Sequence, residues 1–193
     1  MTSQLEKKLK SFSSQNIIDA MSFLGWDQTM IHGPRPLFKG KKIFGEAVTL
    51  RFVHFRKDLL QDLPKKDESA EYKAFELCGP GKVLVASSIG PWESIGGDIK
   101  FLRLFQKKAA GIVTDGSVRD SKALEKYNFP VFAHSFTSKQ GPGIMLPISV
   151  NDNINCGGIL VRPGDYILGD DDGVVVFPKI LANEIITITE ERE

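Results

Sequence analysis

The chain has 193 residues, 41% hydrophobic and 25% charged, with a formal net charge of +1. That length suits one domain with a substantial core, and the near-neutral balance removes any general pull toward polyanions, so nucleic acid is not an expected partner. Cys78 and Cys156 stand far apart and match no CxxC or Cys/His ligand spacing, which argues against a disulfide framework or a zinc site and for inert thiols in a reducing cytoplasm.

The first 25 residues carry Glu6, Lys7, Lys8, Lys10 and Asp19 without a long apolar run, and nowhere do about 18 apolar residues follow one another. The expectation is a cytoplasmic protein with neither a secretory leader nor a membrane span.

In chain order, Leu5 to Leu24 has apolar residues at helical threes and fours, with Ser11 to Gln15 as a place for a split into two helices. Asp27 to Lys42 reads as loop, punctuated by Gly33, Pro34, Pro36 and Gly40. The β-branched and aromatic run that follows predicts a half-buried strand near Ala47 to Val53. Lys57 to Lys66 mixes acids and bases and reads as a solvated face or loop, and Ser69 to Leu77 as a helix ending near Gly79 and Pro80.

The middle is more regular. Val83 to Ser88, a helix from about Gly97 to Ala109, and Gly111 to Asp115 give a βαβ unit and hence a parallel strand pair. A helix over Ser121 to Tyr127 leads into another strand at Pro130 to Phe136. Beyond Gly141 and Pro142 come short β segments at Ile159 to Val161, Tyr166 to Leu168 and Val174 to Phe177. Pro163-Gly164-Asp165 and Asp170 to Gly173 supply tight reversals between them. Lys179 to Glu193 predicts a terminal helix docking one apolar face.

Chemistry concentrates between Gly96 and Asp120, on the loops after two parallel strands, where open α/β sheets bind ligands. Gly96 and Gly97 precede a helix, so they either make a simple turn or let free amides approach an anion. Asp98 lies in the first helical turn and is either a cap or a functional carboxylate. Arg119 and Asp120 are either a structural ion pair or a guanidinium and carboxylate presented together. As a set they suit a 2-oxo acid: an aspartate offers oxygen to a hard cation and an arginine clamps a planar carboxylate or carbonyl.

Asp98, twenty residues, then Arg119-Asp120 resembles the D-x20-R-D motif of RraA-like 4-hydroxy-4-methyl-2-oxoglutarate aldolases. The resemblance extends through Arg35 to Phe38, Gly45 to Arg51, Asp115 to Asp120, Pro130 to His134 and Cys156 to Pro178, in the family's order and over most of the chain. It implies one swivelling β/β/α-type α/β domain over residues 1–193, assembled as a homotrimer or homohexamer with sites near subunit boundaries. It implies that Asp120 is the direct ligand of Mg²⁺ or Mn²⁺, that Asp98 holds the metal's water shell, and that Arg119 contacts the substrate oxygen. Backbone amides from Gly96 to Ile99 would receive the substrate carboxylate. The implied activity is aldol cleavage of a 4-hydroxy-2-oxo acid to pyruvate, with oxaloacetate decarboxylation at the same site.

The family also uses a glutamate from a neighbouring subunit's C-terminal region, for which Glu184, Glu190, Glu191 and Glu193 are candidates. Trp92 either packs or shapes substrate choice. His134 is expected to make a structural hydrogen bond, and Asp170 to Asp172 a hairpin turn rather than a Ca²⁺ site. The family's name-giving branch resembles a non-catalytic inhibitor of ribonuclease E that lacks the first motif aspartate, which this chain retains as Asp98. A third reading, methyl transfer from S-adenosylmethionine, finds no GxGxxG and no acidic ribose partner after Val83 to Ser88.

Overall fold

A computed structural model describes residues 4–64 and 68–192. The amino-terminal split falls where expected, giving α1 (Gln4–Ser11) and α2 (Ser14–Phe23). Ser13 is the reason: its hydroxyl accepts the Asn16 amide at 3.1 Å while Asn16 Oδ1 accepts the Ser13 amide at 2.9 Å, a reciprocal cap that starts a new helix.

The expected loop from Asp27 to Lys42 contains two short strands, β1 (Met30–Ile31) and β2 (Arg35–Pro36). Neither has a periodicity long enough to read, because each exists only by pairing with a distant strand. Next come β3 (Ile43–His54), longer than predicted, and α3 (Lys57–Asp62), which buries no residue and so is a solvated helix rather than a loop. Part of the charge run, including Lys66, lies outside the described residues.

The regular middle is α4 (Ala70–Leu77), β4 (Lys82–Ser87), α5 (Asp98–Gln106), β5 (Gly111–Thr114), α6 (Ser121–Tyr127) and β6 (Val131–Ala133). Then come β7 (Met145–Val150), β8 (Ile154–Cys156), β9 (Ile159–Val161), β10 (Tyr166–Asp170), β11 (Gly173–Phe177), a 3₁₀ turn at Lys179–Leu181 and α7 (Ala182–Arg192). β7 carries Pro147, which weakens its strand signal; it is tolerated because among the described residues β7 pairs only with β3, where the register shifts between Arg51 and Phe52.

Strands β3, β4, β5 and β6 run parallel, and β10 and β11 extend the sheet antiparallel from β3. β1 closes one edge on β11 and β2 the other on β6. Asp170 and Gly173 face each other across the expected β10–β11 reversal. Pro163 to Asp165 is different: it carries the chain from β9, which pairs with β8 in a separate hairpin, to β10.

Three apolar clusters hold the layers together. α4, α5 and α6 cover one part of the sheet through Leu84, Phe101, Leu104, Leu124 and Val131. α1, α2 and α7 cover β10 and β11 through Leu9, Ile17, Ile185 and Phe177. The opposite face, with Ile43, Val85, Val113, Phe132 and Ile167, is closed by the β8–β9 hairpin. Burial on both faces explains why β4, β5 and β11 read as nearly continuous apolar runs rather than alternating ones.

A candidate active site at the carboxyl ends of β4 and β5

The loops after β4 and β5 are tied together by backbone hydrogen bonds that prolong the parallel pairing beyond the strands. Ser117 N–H donates to Glu93 O (2.9 Å), Ile95 N–H to Ser117 O (3.0 Å) and Arg119 N–H to Gly96 O (2.9 Å). On the other side Val118 N–H donates to Ser135 O (3.1 Å) and Thr137 N–H to Val118 O (2.9 Å). Those bonds carry Gly96-Gly97-Asp98 alongside Arg119-Asp120.

Asp120 has φ 63° and ψ 46°, the left-handed region that costs most L-residues but is tolerated by Asp. Its backbone carbonyl starts α6 by accepting the Ala123 and Leu124 amides, while its side chain turns away from α6. The carboxylate caps α5 instead: Oδ2 accepts the Asp98 N–H at 3.0 Å. Gly97 makes the approach possible, since a Cβ there would lie 2.2 Å from Asp120 Oδ2. The Gly pair is therefore a close-approach device as well as a turn.

Asp98 is the first residue of α5 behind the N-cap Gly97, which supplies no side-chain cap. The Asp98 carboxylate is not a cap either, because its Oδ1 accepts the Tyr127 hydroxyl. That hydrogen bond holds the Tyr127 phenol above its ordinary pKa, keeping it a donor. Tyr127, the last residue of α6, carries no motif signal in the sequence.

Arg119 makes no ion pair among the described residues, so the structural ion pair with Asp120 is not what the structure holds. Arg119 lines an open cleft of about 810 Å³ together with Asp98, Ile99, Asp120, Lys122, Phe136 and Ser138. The N-terminal amides of α5 beyond Asp98 have no intrahelical partner, and Ile99, 89% exposed, presents that end of the helix to the cleft.

The donor set can be tested against a divalent cation. Asp120 Oδ1 has no protein donor among the described residues, and Asp98 stands one backbone hydrogen bond away. Two carboxylates suit Mg²⁺ or Mn²⁺, which keep much of their water and need few protein oxygens. Among the described residues no group of three or more His, Cys, Asp or Glu gathers, so the chain alone does not make a closed zinc-type cage.

Other predicted residues have structural partners. Asp115 accepts Ser88 N–H (2.7 Å) and Gly157 N–H (2.8 Å), and burial pushes its carboxyl up against those two bonds. Trp92 packs edge-on against His134 at 4.8 Å between ring centroids and does not line the cleft. The His134 side chain makes no hydrogen bond among the described residues; ring packing takes the place of the one expected. Asp170 accepts from Ser14 at its amide and hydroxyl, Asp171 from the Gly40 amide and Asp172 from Gln15, so the hairpin triad anchors neighbouring segments.

Burial pushes the Cys78 thiol to about 12 and raises Cys156 strongly, so both are inert. Glu190 pairs with Lys8, and Glu184 and Glu191 line no part of this chain's cleft. Glu193 lies outside the described residues.

A mixed α/β domain that presents two aspartates and an arginine, the latter without an ion pair among the described residues, at the carboxyl ends of parallel strands is the class this geometry defines. Residues 14–176 match the RraA-like family, described as Aldolase/RraA, and the chain belongs to that family. The crystal structure of Streptomyces coelicolor RraAS2, described as an unusual member of the RNase ES inhibitor RraA protein family, superposes with a TM-score of 0.89. It is 30% identical, over 98% of this chain and 92% of that one. An uncharacterized protein, MJ0644, of Methanocaldococcus jannaschii is 32% identical over 92% of this chain and 78% of its own length. The 4-hydroxy-4-methyl-2-oxoglutarate aldolase of Thermus thermophilus is 30% identical over 59% of this chain and 70% of its own. Two further relatives are longer, the matched segments covering 64% and 31% of them. Among the described residues no helix is long and apolar enough to cross a membrane.

Proposed function

We propose that this protein is a divalent-metal-dependent carbon–carbon lyase that releases pyruvate from a 4-hydroxy-2-oxo acid and decarboxylates oxaloacetate. The observation that carries this reading is the convergence of Asp98, Arg119 and Asp120 on one cleft, with Gly97 shaped to the Asp120 carboxylate. The likeness to the Thermus thermophilus aldolase supports the reaction class.

Asp120 would hold Mg²⁺ or Mn²⁺ directly, and Asp98 would hold water around it. When bound, the cation supplies Lewis acidity and fixed positive charge. Arg119 presents a planar fork to the substrate's oxo and carboxylate oxygens and stabilises the negative charge that develops as the carbon–carbon bond breaks. The partnerless amides at the start of α5 receive the substrate carboxylate, assisted by the helix dipole. Cleavage of a 4-hydroxy-2-oxo acid, with the C4 hydroxyl proton passing to water as the C3–C4 bond breaks, leaves a carbonyl product and the pyruvate enolate; loss of CO₂ from oxaloacetate leaves the same enolate, which takes up a proton from water to give pyruvate. No Schiff-base lysine is required.

In an assembly of several subunits, a glutamate from a neighbouring copy's C-terminal segment would complete the site. The test is pyruvate release from 4-hydroxy-4-methyl-2-oxoglutarate and from oxaloacetate with Mg²⁺, Mn²⁺ or EDTA, corrected for metal-only decarboxylation. EDTA-sensitive turnover is expected; its absence with both substrates would defeat the reading.

The likeness to RraAS2 favours a second reading, a regulator that binds a ribonuclease. Inhibition of an RNase E-type enzyme, unchanged in an Asp98→Asn variant, would support that role independently of the cleft.

A further inference from the structure

We infer that Tyr127 is a positioning residue of this site, holding the Asp98 carboxylate in the orientation it presents to the cleft. The inference rests on the reading above that Asp98 and Asp120 serve a divalent cation. Tyr127 does not itself line the cleft; its hydroxyl reaches Asp98 Oδ1 from α6 behind it.

The ring that carries this hydroxyl is fixed independently of the bond. It stacks on Phe105 of α5, with centroids 5.5 Å apart and planes 19° from parallel, and Phe105 in turn meets Phe129 edge-on at 6.3 Å. Phe105 lies seven residues after Asp98, two turns along the same helix face. The two helices are thus tied at both ends of α6. Asp120 grips the Asp98 backbone at the start of α6, and Tyr127 grips its side chain from the last residue of α6.

A carboxylate in the first turn of a helix, half-exposed at the edge of an open cleft, otherwise has free rotation about two side-chain bonds. Occupying one oxygen with a donor on a packed aromatic ring removes that freedom and aims the other oxygen. Outer partners of metal-site carboxylates have this effect generally, and their loss lowers affinity or activity.

The experiment compares the full chain with Tyr127→Phe, Asp98→Asn and the double variant, measuring Mn²⁺ binding by titration calorimetry beside steady-state turnover. Tyr127→Phe removes one oxygen and keeps the stacked ring. It is expected to weaken Mn²⁺ binding by about 10-fold and to lower kcat with little change in KM, while thermal unfolding stays close to wild type. In the Asp98→Asn background the same change should do nothing further to Mn²⁺ affinity, because the hydroxyl acts through the carboxylate. Wild-type affinity and kcat in Tyr127→Phe, or an equal loss in both backgrounds, would overturn the inference alone, provided Asp120→Asn abolishes binding. A wild-type protein that neither binds Mn²⁺ nor turns over substrate would instead remove the metal reading, and this inference with it.

Discussion

The Asp120 carboxylate accepts the backbone N–H of Asp98 at 3.0 Å, so a residue that begins one helix caps another. The bond joins the β4 loop to the β5 loop between two residues that line the cleft and depends on residue 97 having no side chain.

Gly97→Ala tests that dependence. The added Cβ would meet chiefly the movable Asp120 carboxylate, with the Arg119 Cβ at 3.1 Å the tighter fixed neighbour, so the protein should lose about 1.5–3 kcal/mol, the worth of one charge-assisted hydrogen bond. Turnover should fall by about 10²-fold, as expected for roughly an ångström of misplacement at reacting groups. Denaturant unfolding alongside initial rates separates the two; a large stability loss with a normal rate per folded molecule would contradict the placement of Asp120.

Asp120→Asn keeps a side chain that tolerates φ 63° and removes only the charge. EDTA-sensitive turnover should disappear while circular dichroism and melting remain near wild type. Arg119→Lys should also fail, since an ammonium cannot reproduce a planar two-pronged contact. Normal rates in both variants would rule out the proposed site.

Gly157→Ala should act on stability instead. Gly157 has φ 54°, and a Cβ would stand 2.2 Å from the His32 carbonyl oxygen and 2.8 Å from its amide nitrogen. Backbone cannot swing aside as a carboxylate can, and the left-handed conformation adds its own strain. A loss of about 2–4 kcal/mol is expected from overpacking and strain together, read from urea unfolding; a shift under 1 kcal/mol, about what an ordinary surface substitution gives, would show that the β8–β9 turn can move.

Glu46 ties β3 to Lys82 of β4 at 2.5 Å and to Lys179 near the C-terminus at 2.6 Å. Partial burial pushes its pKa up, but the hydrogen bonds and charges of Lys179 and Lys82 outweigh burial and leave it below 4.5. A depressed carboxylate stabilises the fold fully above its ordinary value and loses that contribution as pH falls through the folded value. Glu46→Gln should therefore cost about 1 kcal/mol or less at neutral pH and nothing well below pH 4.5. Equal destabilisation at both would show that the charges do not matter.

Much of the fold was legible because its signals are local. Ser121 to Tyr127 and Ile159 to Val161 match α6 and β9 residue for residue, and β4, β5, β10 and β11 fall within two residues of expectation. β1, β2, β7 and β8 went unread: the first two are two-residue pairings with strands far along the chain, and β7 contains a proline. The residues of the candidate site were singled out by the spacing of Asp98, Arg119 and Asp120 and the family it resembles, and the structure brings them to one cleft; their connections were not legible.

The sequence by itself determined a βαβ unit with its parallel strand pair, the glycines before α5 and the residue types that chemistry at a cleft would use, since periodicity, turn chemistry and motif spacing are properties of neighbouring residues. Only the tertiary structure decided that Asp120 caps α5 rather than α6, that Arg119 lines the cleft without an ion pair to Asp120, and that the Tyr127 hydroxyl binds Asp98. The physical reason is that each of these joins groups on different elements, and which oxygen receives which proton is settled by how two helices pack across parallel strands.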